Sequence, residues 1–587
     1  MKKLGRLKVN LNNFIKIRSL FASIRQFLIN SDPRFKLSLI GFIVGITSGL
    51  AAIGLNFSLK FFHHFLLRFE GDIWVILFPV IGLVATVVLL KYVIKDFDGH
   101  GLPEVIHSIS LKGGNIKLRS SFSKLLGSLI TISSGGSAGP EAPVVVSGAA
   151  IGSNFVRFFK ADEKIKIAVS GSGAAAAIAA IFNAPIAGII FTMEVIIGEW
   201  APIYMLPVAI ASVTGTEISR LLNGNQIPFT QNLNAVSIYD IVATIGLSVV
   251  CALVSILFIK TLRNTSKFLD KFFKSALFKA LIGGLLVGLL SFNVPSIRGE
   301  GYAFVQQLIS GEFSAGIGFI FLIVILKICA TSLTLGAGGA GGVFAPALVI
   351  GSASGFLFYS ILRYFFPELP LNNYALFALV GMSGVISGTL NAPLTGMFLI
   401  IEITNGYDAI LPLLLVAFLT TTLVKIVEKH SIYHYELITK GFLHRPRTDG
   451  RILADIKPLE LLEQDLITVE PEMLLRDMIP TIKKSKRNYF PVVDSKNDQF
   501  YGMVYFNDLK EFIFNKEMLN SILVEEVMHS DLTTISLADS LLDIQNKFEM
   551  TKSWSLPVVE SGTFKGLISK ATMLDLYRKE LRVQTDK

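Results

Sequence analysis

Apolar residues run in long blocks from about residue 37 to about residue 430. Examples are Leu37–Leu59, Ile73–Val93, Ile165–Ile197, Ile238–Ile259, Ile317–Ile328 and Leu376–Ile401. Several reach the roughly 20 residues that a membrane-spanning helix needs. Others are short and cut by Gly or Pro. Broken backbone at membrane depth is tolerated only where protein buries it or where it lines a wet cavity. The breaks therefore predict a transport path. After about Glu428 the rhythm changes: charges become frequent, and from about Asp465 short apolar runs alternate with helix-like stretches. This tail reads as a soluble α/β module of about 125 residues.

Composition sharpens that division. The chain has 587 residues, of which 17% are charged, against about 25% in ordinary soluble proteins. Its mean hydropathy is +0.59, which excludes disorder as the main state. Cys251 and Cys329 both sit in apolar runs, so neither a disulfide framework nor a cysteine-rich metal site is expected. Residues 1–36 are basic, with Asp32 as their single acid. The first apolar run starts too late for a cleavable signal peptide. The positive-inside rule keeps this arm in the cytoplasm, and the net charge of +10 fits cytoplasmic flanks of a membrane domain better than a nucleic-acid-binding arm.

The apolar region repeats itself. Lys124 to Gly152 aligns with Lys327 to Gly355 at an offset of 203, with 11 of 29 positions identical. A second match follows: FNAPIAGIIFTME (Phe182–Glu194) parallels LNAPLTGMFLIIE (Leu390–Glu402), each with its asparagine 11 residues before its glutamate. Lysine, proline, asparagine and glutamate recur in order, which chance similarity of Gly/Ala-rich helices does not produce. Gly/Pro-interrupted segments in corresponding places of two halves point to a binding site between them.

Three Gly/Pro pentads carry the chemistry: Gly99-His100-Gly101-Leu102-Pro103, Gly139-Pro140-Glu141-Ala142-Pro143 and Gly342-Val343-Phe344-Ala345-Pro346. Proline near a helix start removes a donor that is orphaned anyway. A helix beginning inside the membrane presents free N–H groups and a partial positive end, which suits an anion. Several such ends converging bind an anion weakly enough for it to leave again.

These residues resemble the CLC family of chloride channels and chloride/proton exchangers, whose ion-coordinating motifs are GSGIP, GREGP and GIFAP. The repeated NAP segments and Ile432-Tyr433 match as well. The resemblance covers about residues 37–440. It implies an α-helical polytopic membrane protein of about eighteen helices in two inverted halves. It also implies a homodimer in the cell membrane with one pore per subunit and both termini cytoplasmic. Glu141 falls on the gating glutamate, although a helix-start carboxylate is the plainer reading. Gly139 and Ala142 flank it in the anion-binding pentad. Val343 and Phe344 fall on the pair whose N–H groups bind the central anion, with simple packing as the alternative. Tyr433 falls on the anion-touching tyrosine, with an interfacial belt residue as its alternative. Lys124 matches a lysine whose field favours anions in the pore, whereas Lys327 reads as snorkelling to an interface.

Three positions depart from the family. His100 replaces the central-site serine, and chloride remains the expected anion; a structural histidine is the alternative. Pro140 stands where many members carry arginine. Val195 occupies the internal proton-glutamate position and carries no proton. That favours a chloride channel gated by Glu141, with a chloride/proton antiporter as the runner-up. No required cofactor, metal site, catalytic constellation or nucleic-acid partner is expected. The run Gly336–Gly341 fits G-x-G-x-x-G but has no βαβ unit around it, and His63-His64 lacks ligand partners.

The tail holds two similar blocks, one through Tyr489–Val493 and Gly502–Val504, the other through Ser555–Val559 and Gly566–Ser569. They resemble a tandem pair of CBS (cystathionine-beta-synthase) domains over 460–587, behind a membrane domain at 37–440 and a linker at 441–459. Such pairs often bind adenine nucleotides through Ser/Thr followed three residues later by Asp. Here the first block has Tyr505 and Asp508, the second Ser569 and Thr572. Neither signature is complete, so dimerisation or gate coupling without a ligand fits as well.

Overall fold

The computed structural model describes residues 33–69, 72–96, 101–157, 162–225, 228–229, 235–313, 316–439, 456, 458–485 and 487–585. Most of the basic arm and of the linker lies outside the described residues, as does His100. The chain divides into two compact units, Met1–Leu443 and His444–Lys587.

The first unit is helical. Among the described residues, eight helices are long and apolar enough to cross a membrane. The repeat is visible as two matching helix series. In the first half Glu141–Arg157 is followed by Glu163–Phe182, Pro185–Phe191 and Pro202–Asn223; in the second, Phe344–Phe365 is followed by Tyr374–Leu390, Pro393–Thr404 and Ile410–Val427.

Two apolar runs that look continuous in the sequence are broken in the structure, at Asn183 and Asn391. The cause is local. Each asparagine takes the left-handed conformation, φ 55° and 58° respectively, which its short polar side chain tolerates. Each Pro two residues on then occupies the first turn of the next helix, where its missing N–H costs nothing. The NAP triplet is thus a stop and a restart.

Glycines let these helices approach closely. A Cβ on Gly173 would lie 1.9 Å from the Gly148 carbonyl oxygen, and one on Gly381 would lie 2.2 Å from that of Gly351. The crossing therefore recurs at equivalent places in both halves. The helix Tyr374–Leu390 is buried along nearly its whole length, so its apolar surface faces protein.

The second unit contains two β-hairpins. β1 (Tyr489–Val493) pairs antiparallel with β2 (Phe500–Tyr505), and β3 (Ser555–Glu560) pairs with β4 (Thr563–Ser569). Each hairpin gains a parallel bridge from an upstream segment, Val469 to Val492 and Ile535 to Val558. Each block closes its own core: Val469, Met478, Phe490 and Val504 in one, Ile535, Ile544, Phe548 and Ile568 in the other.

Candidate functional site

The Gly-rich loops of the two halves meet. Gly139 and Gly342 form an antiparallel bridge, with Gly139 N–H donating to the Gly342 carbonyl at 2.9 Å and Gly342 N–H donating back at 2.7 Å. Each loop runs directly into a helix start, Glu141–Arg157 and Phe344–Phe365. Two helix N-termini therefore converge around this bridge, which is the arrangement that attracts negative charge.

A carboxylate already sits there. Glu141 is 1% exposed. The N–H groups of Glu141 and Ala345 face its carboxylate. The Tyr302 hydroxyl donates to Oε1 at 2.5 Å, while Oε2 has no well-formed hydrogen bond. A Cβ on Gly139 would lie 2.0 Å from Oε2. Glycine is required there because the carboxylate fills the space a side chain would take.

Val343 and Phe344 are buried at the second helix start. The Phe344 ring packs on Phe182 at 6.0 Å and on Phe191 at 5.8 Å between centroids. Ala142 is buried one residue beyond Glu141. Tyr433, also buried, lies on the helix Ile432–Thr439, which packs against Leu102–Leu111, and it is within electrostatic reach of Glu141. Gly139, Glu141, Ala142, Val343 and Phe344 thus gather at one place. His100, from the first pentad, lies outside the described residues.

The repeated lysines hold loops. Lys124 donates to the Asp96 carbonyl at 3.1 Å. Lys327 donates to the carbonyls of Ile297 at 3.1 Å and Gly299 at 2.9 Å. Lys327 is 0% exposed, so the expectation that it snorkels to an interface is wrong. Buried carbonyls need donors, and this ammonium supplies them without reaching water. Lys124 and Gly101 also line a cavity of about 240 Å³, together with Pro143, Val146, Asp270 and Glu436.

The repeated glutamates cap one another's helices. Glu194 accepts from the N–H groups of Leu394 at 3.2 Å and Thr395 at 2.7 Å, and from the Thr395 hydroxyl at 2.7 Å. Glu402 accepts from the N–H groups of Ile186 at 3.0 Å and Ala187 at 2.7 Å. Each NAP glutamate therefore satisfies the orphaned donors of the other half's NAP helix. The next residue, Val195, is buried.

Sequence reasoning missed Tyr302. Its signal is a third repeat at a different offset: Gly299-Glu300-Gly301-Tyr302 aligns with Gly99-His100-Gly101-Leu102 at 200 rather than 203. Gly101 and Gly301 both have positive φ, 87° and 84°, and both precede short helices, Leu102–Leu111 and Tyr302–Ser310.

In the second unit, Asp508 meets His529 Nε2 at 2.9 Å. Ser569 donates to Glu463 at 2.7 Å, and Thr572 and Arg487 bond the same carboxylate. Burial raises the Glu463 pKa, but the hydrogen bonds from Thr572, Arg487 and Ser569 outweigh it and hold the carboxyl below its ordinary range. Both candidate nucleotide contacts are thus engaged by protein groups. Glu463 was missed because it precedes the first block yet bridges to Leu567 of β4 in the second.

Residues 81–425 match the profile described as voltage gated chloride channel. Residues 459–515 and 524–579 match the CBS domain. The H(+)/Cl(-) exchange transporter ClcA of Vibrio cholerae is 28% identical over 476 residues, covering 76% of this chain and 96% of that protein. The chloride channel protein CLC-f of Arabidopsis thaliana is 26% identical over 561 residues, covering 83% of this chain and 70% of the relative. The crystal structure of a eukaryotic CLC transporter shares the fold, with a TM-score of 0.62 at 19% identity, covering 91% of this chain and 97% of the other.

Proposed function

The chain belongs to the voltage-gated chloride channel family, and from that premise we propose that it exchanges chloride for protons, with Glu141 as the gate. One observation carries this reading: a buried carboxylate lies where two helix N-termini converge. A carboxylate there competes with an anion for the same N–H groups. Protonation removes its charge, weakens its hold on those dipoles and frees the position. Anion entry and proton uptake then share one group. The N–H groups of Val343 and Phe344, the backbone at Gly139 and Ala142, the Tyr433 hydroxyl and His100 form the remaining anion contacts.

This revises the channel-like expectation drawn from Val195. The exchanger named above is similar over nearly its whole length. Acids line the cavity beside Lys124, namely Asp270 and Glu436, so a proton has acceptors on that side without a glutamate at position 195. Glu194 is a helix cap in this reading. The protein works as a homodimer with cytoplasmic termini, and its CBS pair modulates transport.

The test is chloride efflux from liposomes holding the purified protein, with external pH recorded in parallel. Proton movement opposite to chloride at a fixed ratio is the expected result. Chloride flux with no proton movement restores the channel reading. Glu141→Gln is expected to abolish proton coupling and flatten the pH dependence of flux.

A further inference from the structure

We propose that Tyr302 is a latch that holds the Glu141 gate closed, and that Lys327 fixes the loop carrying it. The inference rests on the gating role proposed for Glu141 and names the group that sets its release.

The geometry is direct. Tyr302 stands at the first position of the helix Tyr302–Ser310. Its hydroxyl reaches Glu141 Oε1, and its ring rests edge-on against Phe229 at 5.8 Å between centroids. Gly301 lets the chain turn immediately before it at φ 84°. A Cβ at that position would lie 2.8 Å from Val349 and 3.3 Å from the Lys327 Nζ. Lys327 clamps the preceding loop through the Ile297 and Gly299 carbonyls. The tyrosine is therefore held from both sides, and its phenol has little freedom except toward the carboxylate.

The internal repeat makes this arrangement informative. In the first half Gly101 precedes its short helix, with Leu102 at the helix start. The second half places Tyr302 at the equivalent point. One copy of the loop carries a residue matching the anion site, while the other carries a hydroxyl that bonds the gate. A phenol donating to a carboxylate stabilises the charged, seated form. Opening must break that bond.

Among the described residues, the charged and titratable groups facing Glu141 are Tyr302 itself, Glu300 in the same loop, Lys327 on the helix Ile317–Gly336 and Tyr433 on Ile432–Thr439. Lys60 acts in turn on Glu300. Tyr302→Phe removes one hydrogen bond from this set and leaves every charge in place. It also keeps the ring contact with Phe229, so folding is preserved.

The experiment compares wild type, Tyr302→Phe, Glu141→Gln and the double variant as full-length protein in liposomes. Chloride flux is followed from mildly acidic to neutral pH. A hydrogen bond to a charged group is expected to contribute about tenfold, which moves the half-maximal pH of flux upward by about one unit in Tyr302→Phe. In the Glu141→Gln background the same change is expected to have no effect on the profile. An unchanged profile in Tyr302→Phe, or an equal shift in both backgrounds, overturns the latch while leaving the gate standing. If Glu141→Gln itself leaves the pH dependence intact, the gating reading fails, and that failure shows in a different variant.

Discussion

At an offset of 203 the two halves place Glu141 and Phe344 at the same point, the first residue of a helix that follows a Gly-rich loop. The backbones behave alike: Gly139 and Gly342 exchange hydrogen bonds, and both helices aim their N-termini at one spot. The side chains do not. Glu141 turns back across the bridge, whereas Phe344 packs into an aromatic cluster with Phe182 and Phe191. The lesson is a division of labour. Duplicated backbone supplies the anion-attracting dipoles twice, and one side chain per half decides what those dipoles meet.

The comparison breaks most sharply at the two glycines. In Gly139→Ala the new Cβ would stand 2.0 Å from Glu141 Oε2, so the carboxylate must leave its seat. In Gly342→Ala the nearest atoms are the Cβ and N of Ala142, each at 3.1 Å, and adjustment by a few tenths of an ångström suffices. Chloride flux in liposomes is expected to lose most of its pH dependence in Gly139→Ala and to change much less in Gly342→Ala. Equal effects in the two variants would remove the asymmetry between the halves.

The glutamate caps should show symmetry instead. Glu194→Gln and Glu402→Gln each weaken charge-assisted bonds to helix N–H groups, at an expected cost of about 1–2 kcal/mol apiece. Thermal unfolding of the purified protein in detergent checks this, and similar losses are expected. Proton coupling should survive Glu194→Gln; its loss would make Glu194 part of the proton route rather than a cap.

The smallest effect concerns the soluble unit, whose two blocks are joined through Glu463. Its folded pKa is lowered by the Thr572, Arg487 and Ser569 contacts, which overcome burial. The stabilisation is therefore present above the ordinary glutamate range of about 4.3 and is lost as pH falls through the lowered value. Protection of β4 and the helix Lys570–Thr585 in hydrogen exchange is expected to fall with acidification. In Glu463→Gln the protection is already reduced at neutral pH, and its further fall is smaller. Identical profiles would show that this cluster holds nothing together.

Much of the site was legible in the sequence because local backbone demands specific residue types. The pentads at Glu141 and Phe344 are read as helix starts because a proline there removes only an orphaned N–H. The breaks at Asn183 and Asn391 are not read, because each falls inside an apolar run that continues on both sides of it. Tyr302 was not legible at the offset of 203, because Gly301 to Lys327 spans three more residues than Gly101 to Lys124 and alanine replaces the pentad's proline.

The sequence by itself determined the membrane unit, its duplication, the two CBS blocks and the Gly/Pro helix starts whose dipoles suit an anion. Each follows from residue type over a short window. Only the tertiary structure decided the partners. Lys327 is buried on carbonyls rather than snorkelling, the NAP glutamates cap the opposite half, and Tyr302 and Glu463 act on residues 161 and 106 positions away. Hydrogen-bond partners across such separations are set by where helices cross, and side-chain spacing along the chain carries no record of that.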